Sequence, residues 1–382
     1  MSRPISGTLF LYMSLHVTDI LQAFEEWAPT WAAWEKDNVG LQVGNQLQNV
    51  TKILITLDVT KQIVAEAIAK KTELIISHHP LLFRPQSSIT TSDTVGELVL
   101  RLAEHKISLF SAHTNLDFTQ GGVSFALAET LGLKNIRFLS PLKNSLTKIA
   151  VFIPEGHLEQ VMHAMIQAGA GIIGKYSSCS FGTKGIGTFR GSPSSNPFKG
   201  KRQSLEFVEE IRLEMIMPRA RVNGVITAMK KVHPYEEIAY DIYNVENPNP
   251  NFGMGAFGTL LKPQPLGRFL RFVKRTLGSG TLRFTGRTTN EVQNIAVCSG
   301  AGSDLLSDAI AAKADVFITA DVRYHAFHTA EGSIALVDAG HWETEQIVLK
   351  PIADRIRSIA RKANEPLTIR ITKHITNPIQ TM

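Results

Sequence analysis

The chain has 382 residues, of which 43% are hydrophobic and 19% charged, and its formal net charge is +6. That length exceeds a usual single domain and permits more than one hydrophobic core. The basic residues are scattered, and no long basic run interleaved with aromatic residues occurs. The sequence therefore gives only weak support for a nucleic-acid partner.

Cysteine content and hydropathy limit the cellular setting. Cys179 and Cys298 are the only cysteines, too few for a disulfide framework or a zinc knuckle, which favours a reducing, cytoplasmic location. No apolar run approaches the ~18–20 residues that a membrane helix needs, so no membrane partner is expected. Residues 1–13 carry a short apolar stretch without a convincing signal-peptide cleavage site, and we predict an N-terminal extension there.

Residues 14–140 form the first part of a predicted core domain. Apolar periodicity predicts helices over 17–28, 61–71 and 96–104, and buried strands over 52–57, 73–76 and 107–110. Strands that alternate with helices in this way are typical of a parallel, doubly wound sheet.

Residues 141–252 have a different character and are predicted to be an insert domain. Strands are expected over 145–153, 171–190 (as a pair), 204–217 and near 242, with helices over 157–168 and 222–231. This order is that of a ferredoxin-like α+β unit. His233 with Glu236 and Glu237 resembles a second metal-binding cluster, but a turn with solvated carboxylates explains the same residues and is the favoured interpretation.

The core resumes over 253–382. Helices are predicted at 266–277, 305–314 and up to 359, with strands at 295–298, 316–318 and from 335. The predicted class is α/β, a two-part core with parallel-type sheets interrupted by the insert. A glycine turn from Ser299 to Ser303 joins a strand to a helix, and it either cradles phosphate or allows tight packing. It lacks the lysine of a P-loop.

Two adjacent histidines, His78 and His79, follow a buried strand and precede Pro80. Inside a regular strand their side chains would point to opposite faces, but at a strand end both can reach one site. Pro80 biases His79 to an extended or turn conformation. The carboxyl edge of an α/β sheet is where such folds keep their sites. Taken alone, the pair could equally lie solvated in a loop.

Further candidate ligands follow two other predicted strands. His113 and Asp117 come after the strand at 107–110, although an aspartate there could simply bond its own turn. His341 and Glu345 follow the strand that begins at 335, and their i, i+4 spacing puts them on one helix face. Imidazoles and carboxylates without thiolate suit a borderline divalent ion such as zinc, iron or manganese. Two ions about 3.5–4 Å apart, with a bridging carboxylate, would use all the candidates.

Four segments together resemble one family. They are Asp37 to Gly44, Ser77 to Leu81, His113 to Asp117 and Gly340 to Glu345. They are similar to the motifs of the GTP cyclohydrolase I type 2 homologues, also called Nif-like dinuclear metal-centre hexameric proteins, over roughly 14–140 and 250–382. The insert resembles the PII signalling and divalent-cation-tolerance proteins. Trp342 departs from the pattern, where a smaller or more polar residue is usual, and this bears on pocket shape.

The resemblance implies a metal site and an assembly. His78, His79, Asp117, His341 and Glu345 would bind two divalent ions per subunit, zinc, iron or manganese. His79 and Asp117 would hold one ion, His78 and His341 the other, and Glu345 would bridge them. The family also implies a homohexamer, a toroid built as a trimer of dimers.

Two classes of function follow. The first is a metal-dependent hydrolase of unknown small-molecule substrate, because a water bridging two metal ions becomes a nucleophile near neutral pH. The family name implies GTP ring opening. The second is a non-catalytic ring that scaffolds partners or senses nucleic acid or a small molecule. His113 and His325 are candidates for a general acid, and Asp321 is expected to cap the helix after it.

Overall fold

The computed structural model describes residues 15–363 and 365–380, so the predicted extension at 1–13 lies outside the described residues. Contacts within the chain divide it into two compact units. The core unit comprises the described parts of 1–140 and 253–382, and the insert unit comprises residues 141–252. None of the described helices has both the length and the apolar character needed to cross a membrane.

The first part of the core unit alternates strands with helices. Its strands are β1 (Gly40–Val43), β2 (Lys52–Thr56), β3 (Leu74–Ser77), β4 (Ser108–Ser111) and β5 (Lys134–Pro141). Its helices are α1 (Val17–Trp27), α2 (Lys61–Lys70), α3 (Thr94–Glu104), α4 (Thr114–Asp117) and α5 (Val123–Thr130). Side chains cap two of these helices: Thr60 accepts from the backbone N–H of Ile63 in α2, and Asp93 accepts from the backbone N–H of Gly96 in α3.

The insert unit contains β6 (Leu146–Pro154), α6 (Leu158–Gln167), β7 (Phe181–Arg190), β8 (Leu205–Pro218), α7 (Val222–Val232) and β9 (Tyr240–Val245). Its sheet has the order β7-β8-β6-β9 with antiparallel neighbours throughout. This is the order of a ferredoxin-like split βαβ unit. The prediction of paired strands over 171–190 is wrong for the first half of that range, where only an isolated bridge joins Ile173 and Tyr176.

The second part of the core unit begins with β10 (Gly253–Pro265), α8 (Leu266–Leu277), β11 (Arg283–Phe284) and β12 (Glu291–Ala301). It continues with α9 (Leu306–Ala311), β13 (Val316–Ala320), α10 (Tyr324–Ala330) and β14 (Ala335–Asp338). The remaining elements are α11 (His341–Glu345), α12 (Leu349–Ala363) and β15 (Thr368–Ile371).

The core unit contains two sheets with parallel centres. The first has the order β1-β4-β3-β2-β15, in which β15, β2, β3 and β4 run parallel and β1 is antiparallel. The second has the order β11-β14-β13-β12-β10-β5, in which β12, β13 and β14 run parallel, β10 is antiparallel to β12 and β11 is antiparallel to β14. The predicted α/β class is confirmed, and the sheets are mixed rather than wholly parallel.

Both faces of the first sheet are covered, which explains its continuous apolar strands. Ile53, Ile55 and Ile76 pack in the buried cluster that includes residues of α1 and α12. Leu54 and Ile75, which alternate with them, pack in the cluster that includes α2 and α3. The parallel strands β2, β3 and β4 therefore end at one edge, where polar side chains leave the core.

Candidate metal centre

The end of β3 delivers two histidines to one place. The ladder to β2 continues past the strand, since the backbone N–H groups of His78 and His79 donate to the carbonyls of Thr56 and Leu57 at 3.2 and 2.9 Å. The hydroxyl of Ser77 donates to the carbonyl of His79 at 2.9 Å. The two imidazole centroids lie 5.0 Å apart, so both rings enter the same site.

The short helix α11 supplies two more donors. Nε2 of His341 lies 3.1 Å from Oε2 of Glu345, one helical turn later. Nε2 of His79 lies 2.9 Å from that same oxygen. Glu345 is buried, with only 4% of its surface exposed. The donor atoms of His79, His341 and Glu345 all lie within 4.8 Å of one another, a group that could hold a metal ion.

A second side of the cluster contains polar atoms without partners. Nε2 of the fully buried His78 lies 3.8 Å from Oδ1 of Asp117 and 3.9 Å from Oε1 of Glu345. Within the described residues, neither that nitrogen nor Oδ1 of Asp117 has a hydrogen-bond partner. A buried polar atom left unpaired is costly, so this arrangement fits a cation placed between the two atoms.

The distances group the ligand candidates differently from the family-derived pairing. That pairing joined His79 with Asp117 and His78 with His341. In the structure His78 lies beside Asp117 and Oε1 of Glu345, while His79 and His341 share Oε2. These distances favour His78 with Asp117 for one ion and His79 with His341 for the other, because the ring of His78 is held by the carbonyl of Ala112 at the end of β4, the strand that leads to Asp117. Glu345 keeps its central position.

The four histidines of the site share one arrangement of hydrogen bonds. Nδ1 of His78 donates to the carbonyl of Ala112 at 2.8 Å, and Nδ1 of His79 donates to Oδ1 of Asp58 at 2.7 Å. Nδ1 of His341 donates to Oδ2 of Asp321, also at 2.7 Å. A donor at Nδ1 fixes the tautomer and leaves Nε2 as the ligating nitrogen, as in carboxylate–histidine–metal sites.

His113 completes this set. Its Nδ1 lies 3.0 Å from both carboxylate oxygens of Asp37, which also accepts from the backbone and hydroxyl of Thr114. Its ring centroid lies 5.3 Å from His78 and 5.5 Å from His79. His113 thus lies in the cluster, on the side of β4. The other candidate acid, His325, is exposed on α10, and its ring contacts that of Tyr324.

The aspartates that orient the histidines were not identified as such from the sequence. Asp58 follows β2, Asp321 follows β13 and Asp37 precedes β1. The prediction that Asp321 caps the next helix is wrong, because α10 has Arg323 at its N-cap and Asp321 bonds His341 instead. The available signal was position: Asp58 and Asp321 stand just after buried strands, as the ligands do.

The histidine–carboxylate contacts shift several pKa values. Contact with Glu345 raises the pKa of His341 to about 9. Burial disfavours the charged form of His79, but Asp58 and Glu345 outweigh it and raise its pKa to about 10. Burial raises the pKa of Asp117, whereas for Glu345 the three imidazoles outweigh burial and lower the pKa. Without metal the site therefore binds protons that a cation would displace.

Burial and hydrogen bonding also have opposing effects on the pKa of Asp37, the carboxylate beside His113. Burial opposes ionisation of this carboxyl group, but the hydrogen bonds from His113 and Thr114 outweigh burial and lower its pKa to about 2. Asp37 is therefore an anion that holds the Nδ1 proton of His113.

The glycine turn after β12 packs against the site. A Cβ atom on Gly300, whose φ is +59°, would lie 2.1 Å from Oε1 of Glu345. The N–H of Gly300 donates to Thr344 Oγ1 at 3.0 Å, and that of Gly302 donates to Thr319 Oγ1 at 2.9 Å. Both N–H groups already donate to protein side chains, so they are not free to bind phosphate. The contacts therefore favour tight packing, rather than phosphate binding, as the role of this turn.

A segment near the C-terminus contacts two parts of the site, and we call residues 372–377 the strap. Thr376 donates its hydroxyl hydrogen to Oδ2 of Asp58 at 2.5 Å and accepts from Nε1 of Trp342 at 3.1 Å. Asn377 donates to Oε1 of Glu343 at 3.1 Å. Trp342, the residue that departs from the family pattern, thus connects α11 through Thr376 to Asp58, the carboxylate that orients His79.

The insert cluster around His233 is structural. Nε2 of His233 donates to the carbonyl of Phe152 at 3.1 Å, and Nδ1 accepts from the N–H of Tyr235 at 3.2 Å. Burial lowers the pKa of this imidazole. With both nitrogens bonded, His233 has no free donor for a metal, in agreement with the favoured interpretation of this turn.

Comparisons with known proteins agree with the motifs. The model of the Duf34/NIF3 (NGG1p interacting factor 3) family matches residues 15–378. A Halalkalibacterium halodurans protein named GTP cyclohydrolase 1 type 2 homolog is 40% identical over 344 residues, 90% of this chain and 92% of that protein. A Bacillus subtilis protein of the same name is 38% identical over 367 residues, 96% and 98% of the two chains. The crystal structure of a Bacillus cereus protein related to NIF3 matches with a TM-score of 0.80 and 35% identity, over 96% of this chain and 99% of that one.

Proposed function

The chain belongs to the Duf34/NIF3 family, and from this membership and its histidine–carboxylate cluster we propose that it is a hydrolase dependent on two divalent metal ions. The observation that carries the proposal is the pair of unpartnered buried atoms, Nε2 of His78 and Oδ1 of Asp117. Nε2 of His78 lies between Oδ1 of Asp117 and Oε1 of Glu345, at 3.8 and 3.9 Å, while His79 and His341 face Oε2 of Glu345. With donors beside each oxygen of Glu345, these residues would be able to hold two ions, which would supply Lewis acidity at the site.

The donor set fits zinc, iron or manganese. Three imidazole nitrogens and two carboxylates, without a thiolate, suit borderline divalent ions. Bound there, such ions would supply Lewis acidity, which acidifies water and stabilises negative charge on an attacked group. The proteins of the same family are named for GTP cyclohydrolase, so GTP is one probe substrate among phosphoesters and cyclic amides.

The chain's own residues orient the donors and handle protons. Asp58, Asp321 and the carbonyl of Ala112 each hold one Nδ1, so that the three Nε2 atoms converge. His113 is proposed as the general acid, because Asp37 keeps a proton on its Nδ1 while Nε2 is left for exchange with a leaving group. The proposed setting is a homohexamer in the cytoplasm, as the family resemblance implies, and light scattering on the purified protein tests the assembly.

Elemental analysis of the purified protein tests the proposal. We expect two tightly held ions per chain in the parent and a clear loss in Glu345→Ala. Glu343→Gln is the matched control, because Glu343 is on the same helix but bonds Asn377. Hydrolysis of GTP and of generic phosphoesters should depend on added metal in the parent and fail in Glu345→Ala. If no metal binds after anaerobic reconstitution with iron, manganese and zinc, the hydrolase is excluded and a binding or regulatory protein remains.

A further inference from the structure

The insert unit contains a cleft that the metal centre does not use. Its volume is about 560 Å³, and it lies between the end of the β7–β8 hairpin, the loop at 191–199 and the turn at 235–239. Phe152, Phe189, Phe198 and Tyr235 contribute aromatic walls. A cleft of this size and lining is typical of sites for small organic molecules. We call it the insert cleft.

A carboxylate that forms no ion pair with a described residue lies in the wall of this cleft. Glu210 on β8 is half-buried, and Oε1 accepts a hydrogen bond from the Tyr235 hydroxyl at 2.8 Å. A Cβ atom on Gly187 would lie 2.2 Å from Oε2, so glycine at that position of β7 makes room for the carboxylate. No lysine or arginine among the described residues forms an ion pair with Glu210. A half-buried anion with a single neutral donor favours a bound cation.

The aromatic walls are held in place by hydrogen bonds. His233 bridges the carbonyl of Phe152 and the backbone N–H of Tyr235, which fixes the turn that carries Tyr235. Burial and the neighbouring Glu210 raise the pKa of the Tyr235 hydroxyl, which therefore stays a donor. The ring of Phe198 lies 6.0 Å from that of Tyr235 and 5.5 Å from that of His157. The cleft is therefore largely preformed.

The loop that carries Phe198 is also anchored. The N–H of Asn196 donates to Oε1 of Glu236 at 2.7 Å, and the N–H of Gln203 donates to the carbonyl of Gly191 at 2.9 Å. Phe198 itself is 50% exposed, so its ring forms the outer wall of the cleft.

Charges at the rim are of both signs. Glu236 and Glu237 are exposed, and so are Arg190 and Lys199. Exposed long basic side chains can extend into water, whereas the half-buried carboxylate of Glu210 is fixed by its contacts. The electrostatic preference of the interior is therefore set by Glu210, and it is for a positive ligand.

We propose that the insert cleft binds an aliphatic ammonium ion, with the charged nitrogen against Glu210 and the aromatic rings of Phe198 and Tyr235. Ammonium groups are attracted to the faces of aromatic rings, and the attraction increases when water is excluded. The aliphatic part of such a ligand would contact Phe152 and Phe189. The insert would thereby carry a ligand site separate in chemistry from the histidine–carboxylate cluster.

Isothermal titration of the full chain with choline and with putrescine tests this proposal. We expect saturable binding of at least one probe, weakened at least tenfold in Glu210→Gln and in Phe198→Ala. Glu209→Gln is the matched control, since Glu209 is the preceding residue of β8 and points to the opposite face of the sheet; it should bind as the parent does. Phe198 is half exposed, so Phe198→Ala keeps the fold even where Glu210→Gln does not.

Three outcomes would overturn the proposal. One is the absence of heat with either probe at millimolar concentration. Another is equal binding by the parent, Glu210→Gln and Phe198→Ala. The third is binding of inorganic phosphate or ATP in place of the ammonium probes, lost in Arg190→Gln or Lys199→Gln, which would assign the cleft to anions. The metal content of every variant should equal that of the parent.

Discussion

Asp58 and His79 form a hydrogen-bonded pair in which Oδ1 lies 2.7 Å from Nδ1, and the opposite nitrogen of the same ring lies 2.9 Å from Glu345. The imidazole of His79 therefore lies between two carboxylates, those of Asp58 and Glu345. Asp58 follows β2, His79 follows β3 and Glu345 ends α11, so these side chains join the first and second parts of the core unit.

Replacing Asp58 by Asn should weaken metal binding by about 10–100-fold, the usual effect of losing the partner of a ligating histidine. The neutral amide can still accept from Nδ1, but it lacks the negative charge that makes the imidazole a more basic ligand. Competition with a fluorescent chelator measures the dissociation constant. Asp354→Asn is the control, because Asp354 is an exposed carboxylate on α12 that pairs with Lys350 and Arg357. Equal affinities in the two variants would contradict this role of Asp58.

Thr376→Val should weaken metal binding less, by up to about tenfold, since a single hydrogen bond to a charged group is lost. Valine has nearly the same shape but cannot donate to Asp58. Thr376→Ser retains the hydroxyl and should restore the parental dissociation constant in the same chelator assay. If Thr376→Ser weakened metal binding as much as Thr376→Val, Thr376 would act through packing and not through its hydrogen bond to Asp58.

Metal affinity should rise with pH up to about 9–10, because His79 and His341 have pKa values of about 10 and 9 in the metal-free protein. Each must lose a proton to bind metal, and calorimetry in buffers of different ionisation enthalpy should report proton release at pH 7. An affinity that is flat between pH 6 and 9 would contradict these shifts.

The same shifts affect the stability of the metal-free protein. Both histidines bind protons more tightly in the folded chain than at the ordinary imidazole pKa near 6.5. Their contribution to the free energy of unfolding is complete below that value and is lost as the pH rises through 9 to 10. Tm of the metal-free protein should therefore fall from pH 7 to 10, and Tm of the metal-loaded protein should fall less.

Gly300→Ala should abolish metal binding, since its Cβ would lie 2.1 Å from Oε1 of Glu345. Gly332→Ala is the matched control: its φ is +77°, and a Cβ there meets no atom within 4 Å. Both variants should lose about 1–2 kcal/mol of stability from the left-handed backbone. Only the first should lose metal in elemental analysis. Loss of metal in both would mean that backbone strain, rather than contact with Glu345, is responsible.

His113→Gln should separate catalysis from metal binding. If His113 acts as the general acid, the variant keeps the parental metal content but loses turnover of GTP or generic phosphoesters by about 10²–10⁴-fold. Loss of metal instead would make His113 a ligand, which its place beside His78 and His79 also allows. Asp37→Asn, which removes the partner of Nδ1, should shift the pH profile of turnover in the first case.

Periodicity and strand-end position were sufficient to predict much of the core unit. The helix at 266–277 matches α8, and His78 and His79 do follow a buried strand. The i, i+4 spacing of His341 and Glu345 correctly put both on one helix face. These are local signals, set by side-chain direction within one element.

Other features depend on contacts between distant residues. β15 has a short, half-exposed sequence, and only its pairing with β2 makes it a strand. Asp58 and Asp321 look like ordinary turn residues until the histidines they bond are placed beside them. The closeness of His78 to Asp117 has the same origin, because it depends on how β3 and β4 align. Gly171 and Gly174 predict turns between paired strands before β7, but that stretch contains only the isolated bridge between Ile173 and Tyr176.

The contact between Thr376 and Asp58 joins residues 318 positions apart in the chain. During synthesis β2, β3 and β4 leave the ribosome early, and the insert unit is complete well before residue 376 emerges. Chains generally fold from the N-terminal side as they are made, and contacts between residues this distant form slowly. The hydrogen bond from Thr376 that fixes Asp58 would then be among the last contacts to form, after β2, β3 and β4 have paired. Because this hydrogen bond is expected to contribute up to about tenfold to metal affinity, the site would reach its full affinity only after the strap has packed against it.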